Sequence, residues 1–459
     1  MPKATPFANE GHSCIAQENS MLQAVVNALK IAEVRKKILF TMMMLVIFRF
    51  IAAIPVPGVD TAELDRLFNG QLPLSDLANF LNLLSGGALR QFSVAAMGVY
   101  PYITAQIIMQ LLIPLIPALE QLSKEGEQGR NRIQRYQYFL TVPLAYLQGY
   151  GQIKSLINSG INLFGTLNFS ITENFFQTFS ILTIMVSGSM FLVWMGELID
   201  ERGIGNGLSM IIFGGIVTAL PSMVYQAITT SSSGNNVIGG ILLLIVTLAT
   251  VVGIVLITEG QRRIPVQYAK RVRGNKVYGG QSSHLPLKVN MAGMIPLIFA
   301  QSILIFPSTV ASYFWNPNGS GFFNGVANFF VNSFGPNGLA FTLAMFVLVL
   351  LFTYFYALVM FNQQNLPEML QRNGGFIPGI RPGRNTEVYL TKVLNRITLI
   401  GAVGLAVVAA LPYFVQQITG LQIGFSSTGL LIVVGVAVDT MRQLEAQMMM
   451  RNYEGFISR

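Results

Sequence analysis

The side chains that could do chemistry in this sequence are a few ionisable residues at or near the ends of long apolar segments. Glu197 and Asp200 lie at the end of one segment, Asp439 precedes Arg442 by three residues in another, and Arg49 lies within the first. Ionisable groups inside a membrane segment are typical of proton-coupled transporters. Here the positions favour structural roles, because Asp439 can pair with Arg442 on one helix face, and Arg49 can reach the membrane surface or pair locally. A carrier that binds sodium or its substrate through backbone carbonyls stays an alternative.

Motifs of the common enzyme classes are missing from the sequence. It contains no Walker A loop, no HExxH and no GxSxG, and the glycines of 203–207 (GIGNG) lack the spacing of a dinucleotide site. We interpret 203–207 as a tight turn. Cys14 is the single cysteine, and His12 and His284 have no partner ligands at metal spacing. The sequence predicts neither an enzyme, nor a cofactor, nor a metal site.

Long apolar segments position these residues. The chain of 459 residues is 52% hydrophobic and 11% charged, with a mean hydropathy of +0.54. Segments of about 20 apolar residues can cross a bilayer as helices, and continuous apolar runs differ from the alternation of barrel strands. We predict an all-α integral membrane protein. Its ten predicted transmembrane helices are 38–56, 94–114, 137–153, 178–198, 208–228, 237–258, 289–310, 339–361, 396–415 and 427–446.

The basic residues predict the orientation of these helices. With the N-terminus in the cytoplasm, 25 of the 29 Lys and Arg fall on the cytoplasmic side, counting Arg396 and Arg442 toward the cytoplasmic ends of their spans, and three fall on the opposite side. Cytoplasmic loops of membrane proteins carry such an excess of Lys and Arg. We expect both termini in the cytoplasm, as a segment 1–37 with an interfacial helix and a tail 447–459.

Ten helices can form two pseudo-symmetric halves of five. We predict a first half 38–228, an external hinge linker 229–236 and a second half 237–446. An odd number of spans in each half would orient the halves oppositely, as in inverted-repeat transporters. A secondary transporter of a small solute is therefore the alternative to a channel.

A short helix is predicted at 76–84, because Asp76 suits its start and Gly86-Gly87 its end. Its apolar part covers only about 12 Å at 1.5 Å per residue, too short to cross the membrane. On the pattern alone, it is either a re-entrant helix in a water-filled cavity or an amphipathic helix on the outer surface.

Two long cytoplasmic loops are predicted at 259–288 and 362–395. Residues 260–288 carry seven Lys or Arg and no acidic residue. A stretch this basic, with few apolar residues to bury, predicts a docking surface for an acidic partner.

Eight long motifs carry a resemblance to a known family. They are IPVPGVD at 54–60, SGGALRQFSVAAMGVYPYITAQIIMQLL at 85–112, KEGEQGRNRIQRYQ at 124–137, ELIDERGIGNGLSMIIFGGIV at 197–217, QRRIPVQYAKR at 261–271, HLPLKVNMAGMIPLIFAQSIL at 284–304, GGFIPGIRPG at 374–383 and GLLIVVGVAVD at 429–439. In this order they resemble the SecY family, the channel subunits of the Sec protein translocase. The resemblance runs from about Met21 to Phe456 and leaves residues 1–20 outside.

The resemblance implies a passive protein-conducting channel that passes unfolded polypeptides. In the family, apolar side chains form a ring at the waist of the pore, where an apolar constriction stops small ions by dewetting. By motif alignment the ring residues are Val99, Ile103, Leu208, Ile212, Ile298 and Ile432. Val99 and Leu208 depart from the isoleucine most usual in the family, and both stay apolar.

A plug and a lateral gate are also implied by the resemblance. The segment 76–90 resembles the plug that seals the external funnel, with Phe80, Leu81, Leu84, Ser85, Gly86 and Gly87. Spans two and seven resemble the gate through which signal sequences and transmembrane segments leave for lipid. Its polar residues are Gln106, Gln110, Gln301 and Ser302, and hydrogen bonds between the two helices would contribute about 1 kcal/mol each or less.

The partners are further expectations from the family. The two long loops are similar to those that dock the SecA motor ATPase or the ribosome, and their docking residues are Arg262, Arg263, Lys270, Arg271 and Arg381. The family implies SecE-like and SecG-like subunits, precursor proteins with signal sequences, contact with lipid, and a bacterial plasma membrane or a thylakoid membrane. An insertase that uses only the lateral gate is a further alternative.

Overall fold

The computed structural model describes residues 31–59, 64, 82, 85–158, 163–164, 169, 174–232, 237–268, 271–273, 276–278, 282–291, 293, 295–314, 325–326, 329, 338–364, 366–419 and 427–457. Helices dominate this part of the chain. They are α1 (Ala32–Ala52), α2 (Tyr100–Leu112), α3 (Pro117–Lys124), α4 (Glu127–Asn158), α5 (Phe175–Arg202), α6 (Gly207–Ser232), α7 (Val237–Glu259), α8 (Ile295–Phe314), α9 (Leu339–Gln364), α10 (Leu366–Arg372), α11 (Arg384–Thr419) and α12 (Ser427–Ile457). Each predicted span falls on one of these helices, whereas α3 and α10 are short additions.

Several of these helices are long and apolar enough to cross a membrane. Within the described ranges, length and composition alone select Phe175–Arg202, Leu339–Arg372 and Arg384–Leu411. The pair α2 and α3, bent by 101°, adds a fourth if it is one broken span, and the shorter apolar stretches are Gly207–Pro221, Leu244–Glu259 and Ile295–Leu304. The prediction of a helical membrane protein agrees with these helices, and the count of ten crossings stays a prediction.

The helix at the second predicted span is shorter than its apolar run. Residues 94–99 form turns, and α2 begins only at Tyr100. The reason lies just before this run, where Pro55 and Ser93 form an antiparallel bridge flanked by backbone hydrogen bonds. Backbone groups engaged in that bridge are not free for helical hydrogen bonds. Pro101 then suits the first turn of a helix, where its missing N–H costs no bond.

One large hydrophobic cluster joins most of the long helices. It contains buried side chains from α1, α2, α5, α6, α7, α8, α9, α11 and α12. A smaller cluster packs α4 and α5 against the segment before α2. Large apolar side chains also cover the outside, among them Phe50, Leu244 and Ile400, which are 69%, 67% and 71% exposed. Such a surface is unfavourable in water and suits helices that face lipid.

Part of the predicted basic loop is a small sheet. β1 (Gln261–Tyr268) pairs antiparallel with β4 (Ser282–Lys288), and β5 (Gly375–Phe376) pairs with the other edge of β1. β2 (Arg271–Arg273) and β3 (Lys276–Tyr278) form a separate antiparallel pair. These strands were not predicted. Because β1 and β5 come from the two predicted docking loops, their pairing brings those loops together.

Alternation of apolar residues explains the sheet. Ile264 and Val266 are each 2% exposed, and Leu287 is 1% exposed. They pack with Leu390 and Leu394 of α11 in a separate cluster. Successive side chains of a strand point to opposite faces, so Ile264 and Val266 are buried on one face while Arg263 is exposed on the other. Arg262 shares the face of Ile264 and is exposed near the start of the strand. The prediction that this stretch has few apolar residues to bury is therefore wrong.

The buried face of the sheet yields a prediction about its stability. Leu287→Ala removes a buried side chain and should destabilise the sheet by about 2–5 kcal/mol, because a cavity replaces packed atoms. Trypsin should then cleave faster after Arg262 and Arg263, which limited proteolysis of the complex in detergent measures. Val388→Ala is the control, since Val388 is 60% exposed. Equal cleavage rates in the two variants would contradict the packing described for β4.

Candidate functional site

The six predicted ring residues lie in one hydrophobic cluster. Leu208 is half-buried against this cluster, and the other five belong to its buried core. The exposed fractions of Ile432, Val99 and Ile298 are 1%, 2% and 8%. The six side chains come from the starts of α2, α6, α8 and α12 or the residue just before. In this conformation five of the six predicted ring side chains are therefore buried from water.

Helical spacing places these residues on inward faces. Val99 and Ile103 are four residues apart, and so are Leu208 and Ile212, so each pair shares one face of its helix. Val99 is the N-cap residue of α2, and its carbonyl accepts a hydrogen bond from the amide of Ile103 at 3.1 Å. The late start of α2 therefore still leaves both side chains on the same side.

Three of the six predicted plug residues are described. Phe80, Leu81 and Leu84 lie outside the described residues, whereas Ser85, Gly86 and Gly87 lie within them. The carbonyl of Asn82 accepts hydrogen bonds from the Ser85 hydroxyl at 3.1 Å and from the Gly87 amide at 2.8 Å. The Ser85 hydroxyl oxygen in turn accepts from the amide of Leu89 at 3.1 Å. This end of the segment is a tightly bonded turn.

The same turn is held against α1 and α6. Gly86 has φ +70°, a left-handed conformation that favours glycine. A Cβ added at Gly215 of α6 would lie 2.1 Å from the Cα of Gly86, so the two backbones touch directly. Phe48 also packs against Gly86, and Arg49 donates to the Gly86 carbonyl at 3.4 Å. The expectation that Arg49 pairs locally therefore agrees with its position.

The predicted gate helices α2 and α8 are joined by a residue that the sequence analysis missed. The hydroxyl of Tyr100 donates to the carbonyl of Ser302 at 3.4 Å. Gln301 is buried, and its side-chain oxygen has no hydrogen-bond partner among the described residues. Gln110 is hydrogen-bonded to the hydroxyl of Tyr356 on α9. Of the predicted gate residues, Ser302 thus takes part in the contact through its backbone.

A second polar contact extends from α2 to α4. Thr104 donates to the carbonyl of Tyr100 at 3.0 Å, and its hydroxyl oxygen accepts from the side-chain amide of Gln148 at 3.2 Å. Gln106 is half-buried on the same helix. The spacing of Tyr100 and Thr104, four residues apart, is the one signal that could have indicated a polar face here.

Three of the five predicted docking residues lie on β1 or in the segment that follows β5. Arg262 and Arg263 are exposed on β1, and Arg381 is exposed five residues beyond β5. Arg271 lies on β2, whereas Lys270 lies outside the described residues. The three exposed guanidinium groups suit phosphate or carboxylate groups of a partner.

One predicted ion pair is wrong. Arg442 does not take Asp439 as its hydrogen-bond partner; its Nε donates to a carboxylate oxygen of Glu259 at 2.9 Å, and a second nitrogen donates to the carbonyl of Thr258 at 2.7 Å. The end of α7 supplies both acceptors, and no local helical spacing indicates them. Nearby, burial and the charge of Arg442 lower the pKa of the Lys288 ammonium on β4, while Asp439 and Glu259 oppose that shift.

The remaining ionisable candidates have structural partners. Glu197 accepts a hydrogen bond from Gln134 at 2.9 Å, and Asp200 accepts one from the Gly207 amide at 2.8 Å. The second bond closes the turn at 203–207. Within the part of the chain that the structure describes, no three His, Cys, Asp or Glu side chains are grouped as metal ligands.

Comparison with known proteins relates this arrangement to one family. The SecY family model matches residues 93–441. The protein translocase subunit SecY of Thermotoga maritima is 42% identical over 442 residues, covering 96% of this chain and 98% of that protein. The protein of the same name from Thermus thermophilus is 43% identical over 446 residues, with the same coverage.

Solved structures with the same fold support this relationship. A structure described as that of a protein-conducting channel matches with a TM-score of 0.63 at 16% identity, covering 90% of this chain and 92% of that one. Sec61 in the canine ribosome–channel complex from the endoplasmic reticulum matches with a TM-score of 0.62 at 16% identity and the same coverage. At these identities, the structures show a shared fold.

The contact between the two glycines yields a prediction. Gly215→Ala should lower the thermal unfolding midpoint of the complex in detergent, because overpacking costs about 1–3 kcal/mol and exceeds the gain of about 1 kcal/mol from alanine in a helix. Gly253→Ala is the matched control on α7, where a Cβ would meet only Val408 at 3.8 Å. Equal midpoints for the two variants would show that the turn at Gly86 does not rest on α6.

Proposed function

The chain belongs to the SecY family of protein translocase subunits, and we propose that its six ring residues form the waist of the pore. It is a protein-conducting channel subunit, which passes polypeptides across a membrane. The single observation that carries the ring proposal is the convergence of Val99, Ile103, Leu208, Ile212, Ile298 and Ile432 in one hydrophobic cluster.

An aliphatic ring suits both demands on such a channel. At rest, a tight apolar constriction excludes water and with it small ions. During transport, aliphatic side chains can rotate and pack against any passing segment, since dispersion contacts need no specific partner. A hydrogen-bonding ring would favour particular sequences and would stay hydrated when closed.

The external seal and the lateral exit extend this proposal. The segment 76–90 acts as the plug, and the turn at Ser85–Gly87, packed on Phe48 and Gly215, keeps its end attached beside the ring. α2 and α8 are the lateral gate. Tyr100, which bonds across α2 and α8, contributes to holding the gate closed together with Gln106, Gln110, Gln301 and Ser302. One related structure is described as showing that the SecY plug domain stabilises the closed state and maintains a membrane seal.

Docking and assembly follow from the cytoplasmic surface. The basic residues of the two long loops bind acidic groups of the SecA motor ATPase or of ribosomal RNA. They are Arg262, Arg263, Lys270, Arg271 and Arg381. Related channels are described in complexes with the canine and yeast ribosomes. SecE-like and SecG-like subunits complete the channel, and precursors with signal sequences are its substrates.

The setting of the channel completes the proposal. The chain resides in a bacterial plasma membrane, or a thylakoid membrane, with both termini and the basic sheet on the cytoplasmic side. Two halves, 38–228 and 237–446, open about the linker 229–236. The chain itself catalyses no reaction, so that a motor, a ribosome or the membrane potential supplies the energy.

A disulfide experiment tests the path of the polypeptide. With Cys14→Ser as background, Ile103→Cys should crosslink to a single cysteine placed midway in a stalled secretory precursor, and only when the motor and ATP are present. The control is Val46→Cys, whose side chain is 67% exposed on α1 and should not crosslink. The assay is non-reducing electrophoresis of complexes in vesicles. Efficient export with crosslinks to position 46 and none to position 103 would contradict the ring assignment.

A further inference from the structure

Three consecutive residues in the middle of α12 each contact a different part of the chain. Arg442 bonds to the end of α7 through Glu259 and Thr258. Gln443 accepts a hydrogen bond from the amide of Gly205 at 2.9 Å, and the buried Leu444 packs on Val34 of α1 and Ile204. We name Arg442, Gln443 and Leu444 the base staple.

The contacts of Arg442 have the geometry of a specific attachment. Its side chain is 22% exposed, and it donates both to a carboxylate and to a carbonyl in the last turn of α7. A cation at the C-terminal end of a helix also interacts favourably with the helix dipole. Two donors of one rigid guanidinium fix α12 relative to α7 in distance and direction.

The bond between Gly205 and Gln443 connects two parts of the chain that carry ring residues. Gly205 lies in the turn at 203–207, which Asp200 and Thr41 also bond, and Leu208 is the second residue of the helix that follows. Ile432 precedes Arg442 by ten residues on the same helix, about 15 Å at 1.5 Å per residue. The base staple therefore connects the start of α6, which carries Leu208, to α12, which carries Ile432.

The cytoplasmic sheet begins beside the same attachment. Glu259 is the last residue of α7, and β1 starts two residues later at Gln261. The exposed Arg262 follows on β1. The base staple thus lies between the docking surface and the ring, and it joins helices of both predicted halves.

We propose that Arg442 and Gln443 are positioning residues that keep Leu208 and Ile432 at the closed ring. This inference rests on the proposed ring. Without the Gln443 bond, α12 is free to separate from the turn that precedes α6, and without the Arg442 bonds it is free to shift relative to α7. In either case Ile432 loses its fixed position relative to Leu208. Because neither residue touches the ring or a passing chain, their effect is on the resting state of the channel.

Chloride efflux from vesicles that contain the assembled complex without motor or precursor tests this inference. Arg442→Met, which removes both contacts, should raise efflux about tenfold, as expected for loss of a hydrogen-bonded charge. Arg442→Lys keeps the charge and should return efflux toward the parental rate. Glu445→Gln is the control, since it changes a charge on the same turn without altering a base-staple bond.

The outcomes separate the base staple from the channel itself. Faster efflux in Arg442→Met with export of an intact precursor retained supports the inference. If Arg442→Met shows the parental efflux rate and exports the precursor, the inference is overturned and the channel function stands. If the parental complex itself exports no precursor, both the inference and the channel function are overturned. If Arg442→Met does not assemble, Gln443→Leu decides the question in the same assay, with Gln443→Glu, which keeps the acceptor, as its rescue.

Discussion

An opening between membrane helices that is wide enough for a polypeptide admits water and ions unless apolar side chains close it. Backbone groups at that depth must also find partners inside the protein. Here α2, α6, α8 and α12 each bring an aliphatic residue of the proposed ring to one cluster. Most of the remaining structure sets where those four helices begin and how they are held.

Each of the supports acts at the start or end of a ring helix. The bridge between Pro55 and Ser93 delays the start of α2, so that Val99 becomes its N-cap residue. The bonded turn at 203–207 precedes Leu208. Direct backbone contact at Gly215 places the end of the plug segment against α6. These local contacts are individually weak, on the order of 1 kcal/mol for a hydrogen bond, and within the membrane van der Waals packing between the helices adds to them.

The helical architecture could be predicted from the sequence because a continuous apolar run is a strong signal. The sheet of β1, β4 and β5 could not, since Ile264 and Val266 are separated by Pro265 in a short polar stretch, and β5 lies about a hundred residues further along the chain. The pairing of Arg442 was missed for a similar reason. An acid three residues away is visible in the sequence, whereas Glu259 is adjacent only in the fold.

The ring residues illustrate a different limit of sequence reasoning. An isoleucine in an apolar helix has no chemical signature, so Ile103 and Ile432 were indicated only by resemblance to a family. The structure brings them into one cluster with the other four. Tyr100 could have been suspected as a polar residue four positions before Thr104, but its partner, the carbonyl of Ser302, is a backbone atom that no side-chain pattern indicates.

Single-channel conductance of the assembled complex in a planar bilayer tests the ring most directly. Ile432→Ser should make the resting channel conduct ions, with an open fraction about tenfold above the parent, because a hydroxyl lets water wet the constriction. Leu248→Ser is the control, since Leu248 is 64% exposed on the outer face of α7 and should leave the resting channel closed. A fully assembled Ile432→Ser complex that stays as silent as the parent would contradict the account.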